Sequence, residues 1–317
     1  MKFAAKKILL ATDGSEDAKH AARVSTDLVK ATEATLYVAY AWHPVQHGYP
    51  AIAGAEYHHL YEREARRTLN TEVDEIEALD GIEVQPRLLQ GTPVDAILDL
   101  SEELEPELLV LGSRGLGRVG SWLLGSVSEG IVHHSKFPVL VARGGHRAWP
   151  PDRAIVGDDG SEAAEGAAAL AASIGGLFGA AVELLRAYRH PPEPIGGWSA
   201  EDRRHLDEAR AREEDDLAKR AANLGVAPEG TAKIRVAEGD PADAILDAAG
   251  KGHRVLLAVG SRGLGAIGRA RFGSVSSKVL RAAAGPVLIY PHGSRAVLRP
   301  GAKEATAPVE HRSQVPW

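Results

Sequence analysis

The chain contains no cysteine, and only 5% of its 317 residues are aromatic. The absence of cysteine excludes disulfides, thiol nucleophiles and cysteine-ligated zinc or iron–sulfur sites, and it gives no support to secretion. Few aromatic residues predict cores built from aliphatic side chains. The hydrophobic fraction of 44% and the charged fraction of 25% are typical of a globular protein, and the length is ample for two cores.

Long apolar runs are also missing. No stretch approaches the roughly 20 apolar residues that a membrane span requires, and residues 1–7 lack the apolar core of a signal peptide. We therefore expect no membrane partner and a cytoplasmic location. The net charge of −6 argues against a dedicated nucleic-acid-binding protein, because such proteins normally present a basic surface to phosphates.

One glycine-rich motif occurs twice, with the copies 148 residues apart. G-S-R-G-L-G at residues 112–117 precedes G-S-V-S at 125–128, and the same two segments stand at 260–265 and 273–276. Glycines let backbone N–H groups approach a ligand closely, and a serine at the start of a helix adds a hydroxyl to a place that favours anions. The motif therefore predicts two phosphate-binding units.

Further segments repeat in the same order. They are D-G-S-E at 13–16 and 159–162, D-A-I-L-D at 95–99 and 243–247, and P-V-L at 138–140 and 286–288. A repeat of this length matches one domain and is too long for a solenoid unit. The chain is therefore a tandem duplication, which we place at 1–143 and 152–292. Residues 144–151 are the linker, and 293–317 form a flexible tail.

Strand patterns alternate with helical patterns in copy one, and copy two follows the same path. The predicted strands are 7–12, 35–42, 82–89, 108–111 and 138–141, and the predicted helices start after Ser15, span about 56–79, start near Pro93, and span 126–134. This alternation predicts an α/β fold with two doubly wound, Rossmann-like domains, each a five-stranded parallel sheet. The last strand of each copy would be a sheet edge, which favours pairing between the copies in a pseudo-twofold monomer, or a homodimer.

In such sheets ligands bind beyond the carboxyl ends of the strands, where the strand order reverses. If strands one and four are neighbours, Asp13 faces residues 112–117 across a crevice, and Asp159 faces residues 260–265. A carboxylate can accept hydrogen bonds from ribose or adenine, while glycine amides, a serine hydroxyl and a helix N-terminus hold phosphates. The arrangement predicts a nucleotide site in each copy.

These residues resemble the universal stress proteins, in the tandem form common in actinobacteria, over residues 6–291. The ATP-binding pattern of that family is glycine, two residues, glycine, nine residues, glycine and serine or threonine. Copy one meets it with Gly112, Gly115, Gly125 and Ser126. The match to the family's aspartate after the first strand is Asp13 in copy one and Asp159 in copy two, and its adenine-side backbone contact is matched by Ala41 and Ala187. The resemblance implies a fold like that of the adenine nucleotide alpha hydrolases.

The resemblance implies ATP as the ligand, with or without Mg²⁺ held through the phosphates, and no metal ligands from the protein itself. In copy one the implied nucleotide-binding residues are Ala11, Asp13, Ala41, Gly112, Ser113, Arg114, Gly115, Leu116, Gly117, Arg118, Gly125, Ser126, Val127 and Ser128. In copy two they are Gly157, Asp159, Ala187, Gly260, Ser261, Arg262, Gly263, Leu264, Gly265, Ala266, Gly273, Ser274, Val275 and Ser276. Two positions depart from the family pattern, since Ala11 replaces a common glycine and Asp158 puts a charge where an apolar strand residue is usual.

Each feature also has a simpler interpretation. The glycines can make turns, the two aspartates can cap helices, and Arg114 and Arg262 can be solvated charges instead of phosphate ligands.

Residues 115–120 also spell the dinucleotide motif G-x-G-x-x-G, but that motif belongs after the first strand, not the fourth. Histidines 43, 47, 58 and 59 show no metal-binding spacing.

Three functions remain open at this point. The resemblance implies an ATP-binding regulator of stress response or dormancy that acts on an unidentified protein partner. The alternatives are a slow ATPase or autokinase and an interaction scaffold with a non-functional nucleotide site. No catalytic triad or paired general acid and base is evident, so we expect no catalytic residues.

Overall fold

The computed structural model describes residues 5–43, 54–115, 124–189, 194–195, 197–224, 232–250, 252, 254–263 and 272–294. The strands are β1 Lys7–Thr12, β2 Thr35–Trp42, β3 Val84–Gln90, β4 Leu108–Gly112, β5 Val139–Ala142, β6 Arg153–Gly157, β7 Ala181–Tyr188, β8 Lys233–Glu238, β9 Val255–Gly260 and β10 Val287–Tyr290. The helices are α1 Glu16–Thr32, α2 Gly54–Asp80, α3 Pro93–Leu104, α4 Ser126–His134, α5 Glu162–Phe178, α6 Ala200–Asn223, α7 Pro241–Ala249 and α8 Ser274–Ala282.

The strands form one ten-stranded sheet in the order β3-β2-β1-β4-β5-β10-β9-β6-β7-β8. All pairings within each five-stranded half are parallel. Strand order reverses between β1 and β4 in the first half and between β6 and β9 in the second. The predicted α/β fold with two doubly wound, five-stranded parallel halves is confirmed.

The two halves meet at the strands that the sequence marks as edges. β5 and β10 pair antiparallel, with Leu140 opposite Leu288. Beside this seam, Arg281 of α8 forms an ion pair with Glu129 of α4 at 2.6 Å. The His133 ring of α4 stacks on Phe272, which precedes α8, with centroids 4.5 Å apart. Pairing within the chain satisfies both strand edges, so the predicted pairing between the two copies is confirmed, and the choice between a monomer and a homodimer stays a prediction.

Capping serines explain where two of the helices begin. The Ser15 hydroxyl accepts a hydrogen bond from the Ala18 N–H and caps α1, and Ser161 does the same for α5 through Ala164. Most predicted bounds are correct to within a residue or two. The last strand of copy one begins at Val139 and not at the predicted Pro138, whose nitrogen has no hydrogen to donate to a ladder.

The core lies on both faces of the sheet, as the apolar strand runs predict. Alternate residues of β1 divide between the faces, so that Leu10 packs under α1 and α2, while Leu9 packs under α3 and α4. The predicted linker is itself part of the core, because Trp149 is buried and its ring packs edge-on against Phe178 at 5.3 Å. In the predicted tail, residues 295–317 lie outside the described residues.

The lengths and hydropathy of the helices are relevant to the expectation of no membrane partner. Across the described ranges no helix is both long enough and apolar enough to cross a bilayer.

Candidate functional site

Each half of the sheet has a cavity at the carboxyl ends of its strands, where the strand order reverses. The first cavity, in the first half, has a volume of about 340 Å³, and the second cavity, in the second half, about 460 Å³. β1 lies directly beside β4, with Ala11 opposite Leu111, and β6 lies beside β9. The predicted neighbour relation is therefore correct, and it brings the two repeated loops of each copy together.

Asp13 and Asp159 face the glycine segments as predicted. A side chain at position 115 would place its Cβ 2.3 Å from Asp13 Oδ2, and one at 263 would place it 2.0 Å from Asp159 Oδ2. The other oxygen of Asp13 accepts from the Ser15 N–H at 3.1 Å. Because Ser15, not Asp13, caps the helix, the capping interpretation of these aspartates is wrong. Both aspartates line the cavities.

Gly112 and Gly260 have a packing role that the motif alone does not reveal. A Cβ at position 112 would lie 2.7 Å from the backbone carbon of Asp17, and one at 260 would lie 2.9 Å from that of Ala163. These distances are below van der Waals contact, so the first glycine of each motif lets β4 or β9 touch the first turn of the helix beside it. The same contact draws that helix toward the cavity.

The helices after the glycine segments begin at the cavities without a side-chain cap. Gly125 and Gly273 occupy the N-cap positions of α4 and α8 and have no side-chain oxygen to offer the first N–H groups. Ser126 and Ser274 follow, line the cavities and are exposed. The hydroxyls of Ser128 and Ser276 point inward and donate to the carbonyls of the first glycines. The uncapped N–H groups and exposed hydroxyls form a place suited to an anion.

Most of the predicted site residues are brought together. The first cavity is lined by Ala11, Asp13, Ala41, Gly112, Arg114, Gly115, Gly125, Ser126, Val127 and Ser128. The second is lined by Gly157, Asp159, Ala187, Gly260, Arg262, Gly263, Gly273, Ser274, Val275 and Ser276. Ser113 and Ser261 are buried beside the cavities and do not line them. The predicted residues Leu116, Gly117, Arg118, Leu264, Gly265 and Ala266 lie outside the described residues.

The sequence interpretation missed the apolar wall of each cavity. Pro93 and Ile97 of α3 line the first cavity, and Pro241 and Ile245 of α7 line the second. The signal was present, because both isoleucines belong to the repeated D-A-I-L-D segment. A cavity that combines apolar residues with an arginine and an uncapped helix N-terminus suits a flat heterocycle that carries phosphates.

Arg114 is held by an ion pair and is not simply solvated. Its Nε and Nη2 donate to the two oxygens of Asp17 at 3.1 and 3.3 Å, and Ser113 Oγ donates to the same carboxylate at 2.6 Å. Partial burial would raise the pKa of Asp17, but the hydrogen bonds from Arg114 and Ser113 outweigh it and hold that pKa below its ordinary value. Asp17 is therefore ionised beside the first cavity.

The residue before each site aspartate makes different contacts in the two halves. In the first half, Thr12 Oγ1 donates to Glu72 of α2 at 3.1 Å. In the second half, the Asp158 carboxylate receives hydrogen bonds from Arg186 of β7 and from Arg220 of α6 at 2.9 Å. Burial would lower the pKa of Arg186, but its hydrogen bonds with acidic groups raise it. The charge at Asp158, a departure from the family pattern, is therefore matched by two arginines.

Glu72 provides a test of how the first half responds to pH. Burial raises its pKa, and the hydrogen bond from Thr12 offsets only part of this effect. The folded state therefore binds a proton more tightly than the unfolded state, so Glu72 costs stability as the pH rises from its ordinary pKa through the folded value. Glu72→Gln should raise the free energy of unfolding by about 1 kcal/mol at pH 7 and leave it unchanged at pH 4. Urea denaturation at the two pH values measures this, and equal effects at both would contradict it.

The structure also bears on the expectation that the protein offers no metal ligands. Donor atoms of His58, His59 and Glu62 in α2 lie within 4.8 Å of one another. The His58 ring packs edge-on against Trp42 at 4.8 Å, and its Nε2 lies 3.2 Å from the Gln90 amide nitrogen. His47 lies outside the described residues. The expectation of no metal ligands stays a prediction.

Comparisons with known proteins agree with this architecture. The model of the universal stress protein family matches residues 4–143 and again 151–291. A universal stress protein of Thermus aquaticus is 40% identical over 141 residues, which are 44% of this chain and 98% of that protein. One from Mycobacterium bovis is 32% identical over 238 residues, covering 72% of this chain and 77% of that one.

Solved structures give the same result for the whole chain. The crystal structure of a universal stress protein from Archaeoglobus fulgidus matches with a TM-score of 0.64 and 25% identity, and covers 90% of this chain and 98% of that chain. The match extends over both halves, and the family model recognises each half separately. The chain therefore belongs to the universal stress protein family and carries two copies of the family's domain.

Proposed function

We propose that the protein is an ATP-binding regulator of stress response or dormancy that holds one ATP in each of its two cavities. The observation that carries the proposal is the duplicated combination of an aspartate, an uncapped helix N-terminus and an apolar wall around each cavity. Adenine fits the apolar wall, ribose hydroxyls fit the carboxylates of Asp13 and Asp159, and phosphates fit the N-termini of α4 and α8. Mg²⁺, where present, would be held through the phosphates.

Regulation follows from where the ligand would bind. ATP would join the loops after β1 and β4 in the first half, and the loops after β6 and β9 in the second. A ligand that favours one arrangement of these loops changes the surface that a protein partner meets, in proportion to its difference in affinity for the two arrangements. This supports a binding and signalling role in the cytoplasm, with the partner protein unidentified.

Calorimetric titration of nucleotide-stripped protein tests the proposal. We expect two ATP per chain, because the geometry at the two cavities is duplicated. We expect no binding of NAD, because the G-x-G-x-x-G motif follows the fourth strand and not the first. Ser126→Tyr and Ser274→Tyr each put a bulky ring at an exposed position that lines one cavity. Each variant should bind one ATP, and the double variant none.

Three other outcomes would change the functional conclusion. Absence of ATP binding in the unaltered protein would support a scaffold with a non-functional nucleotide site, and NAD binding would support the dinucleotide alternative. Turnover of bound ATP that disappears in the double tyrosine variant would identify a slow ATPase or autokinase. Lys136→Ala, an exposed change on the loop after α4 that does not line either cavity, is the control and should bind two ATP.

A further inference from the structure

The two cavities differ by one charge at equivalent positions. The repeated segment D-G-S-E is followed by Asp17 in the first copy and by Ala163 in the second. Both residues lie in the first helical turn against the first glycine of the motif. A Cβ on Gly112 would touch the backbone of Asp17, and a Cβ on Gly260 would lie 2.8 Å from the Cβ of Ala163. The exchange of carboxylate for methyl therefore occurs at the same place in the two halves.

In the first half, the Asp17 carboxylate forms an ion pair with Arg114, which lines the first cavity. Arg114 donates from two nitrogens to Asp17, and the Asp17 side chain is only 22% exposed. A phosphate that binds Arg114 must draw it from an existing, partly buried partner. It must also approach the negative charge of Asp17 itself.

In the second cavity the corresponding arginine has no such partner. Among the described residues, no carboxylate is within ion-pair distance of Arg262. The neighbouring serine is engaged elsewhere, because Ser261 Oγ accepts from the His292 N–H at 2.9 Å. Arg262 lines the cavity, and its guanidinium remains available for bidentate bonds to a phosphate.

Among the described residues, the charges that line the two cavities do not cancel this difference. Arg143 is close enough to Asp17 and Arg114 to interact with both, but it does not line the first cavity, and its Nη1 donates to the carbonyls of Leu280, Arg281 and Ala283 in the second half. Asp13 and Asp159 are equivalent, and so are Glu16 and Glu162 in the first helical turns. Asp158 borders only the second cavity, but its carboxylate is bound by two arginines. The second cavity is therefore more favourable to negative charge than the first.

We propose that the two cavities select different nucleotides, with the second selective for a triphosphate and the first accepting adenine nucleotides with fewer phosphates. This inference rests on the proposed function. Nucleotide charge is concentrated on the outer phosphates, so Asp17 penalises ATP more than AMP. A unit charge within about 8 Å in partly screened surroundings changes affinity by roughly tenfold. The ratio of ATP affinity to AMP affinity should thus be about tenfold higher in the second cavity.

The test exchanges the charge between the cavities in the full-length chain. The Ser274→Tyr chain isolates the first cavity and the Ser126→Tyr chain isolates the second, and each is titrated with ATP and with AMP. Asp17→Ala should raise the ATP-to-AMP ratio of the first cavity about tenfold. Ala163→Asp should lower that of the second by a similar factor. Both changes should shrink as the salt concentration rises.

Neutral variants separate charge from packing. Asp17→Asn removes the charge and keeps a side chain of the same shape, so it should act like Asp17→Ala, while Ala163→Asn should leave the second ratio unchanged. Because Asp17→Ala only deletes atoms, it decides the question even if Ala163→Asp does not fold. ATP binding in both cavities with equal ratios, or ratios that do not respond to Asp17→Ala, would overturn this inference and leave the proposed function intact. Absence of ATP binding in both cavities would overturn the proposed function and, with it, this inference.

Discussion

Asp158→Ala should lower the free energy of unfolding by about 3 kcal/mol. The Asp158 side chain is only 1% exposed, and it is the shared partner of Arg186, which is 10% exposed, and of Arg220. Removing the carboxylate leaves the buried face of Arg186 without a counter-charge. The loss is expected at the lower end of the range for broken buried pairs, because Arg186 retains bonds to Glu213 and Asp216.

Urea denaturation measures the loss, and hydrogen exchange of the β6 and β7 amides assigns it to the second half. The matched control is Thr12→Ala, the equivalent position in the first half, where one neutral hydroxyl bond to Glu72 is lost and about 1 kcal/mol is expected. A loss for Asp158→Ala no larger than the loss for Thr12→Ala would show that the arginines do not depend on this carboxylate.

Replacing the charged cluster of the second half with the equivalent residues of the first half provides a further check. The triple change Asp158→Thr, Arg186→Tyr and Arg220→Glu replaces the charged cluster with the residue types found at Thr12, Tyr40 and Glu72. It should recover a substantial part of the stability lost in Asp158→Ala, because no buried arginine is left unpaired.

Gly112→Ala should lower the free energy of unfolding by about 2 kcal/mol, and Gly260→Ala should do the same in the second half. The added Cβ would lie 2.7 to 2.8 Å from atoms of the neighbouring helix. The backbone of α1 or α5 must move to relieve the contact. The movement displaces the loop that carries Asp13 or Asp159, so nucleotide binding in that half should weaken along with stability.

The glycines that begin the G-S-V-S segments, Gly125 and Gly273, offer a control within the same chain. A Cβ at Gly125 or Gly273 would approach other atoms no closer than 3.4 Å, and both residues have a negative φ that alanine tolerates. Gly125→Ala should therefore cost less than about 1 kcal/mol. Thermal unfolding of both variants measures the difference, and equal losses would show that helix packing is not what requires glycine at position 112.

The repeated segments predicted the fold because local chemistry and pattern agree within each copy. Apolar runs such as 7–12 and 108–111 became central strands, and Ser15 and Ser161 capped the helices that they precede. The glycine segments were correctly assigned to the ends of strands. These features depend on residues close together in the chain, which a sequence displays directly.

Partners across the fold could not be predicted in the same way. Asp17 and Arg114 are 97 residues apart, and Asp158 and Arg220 are 62 apart. The sequence marked Asp158 as unusual, yet it offered no means of choosing Arg186 and Arg220 among the many arginines. The buried Trp149 in the predicted linker belongs to the same class, since its partner Phe178 becomes its neighbour only after folding.

By itself, the sequence determined that the protein is a duplicated α/β domain with two glycine-bordered sites, because periodicity, caps and repeats act over short distances. The tertiary structure decided how β5 and β10 join the halves, which contact requires glycine at 112 and 260, and which arginine is held by a carboxylate. Those outcomes depend on distances of a few ångströms between segments that are remote in the chain. Only folding sets those distances, and with them the ion pair that holds Arg114 against Asp17.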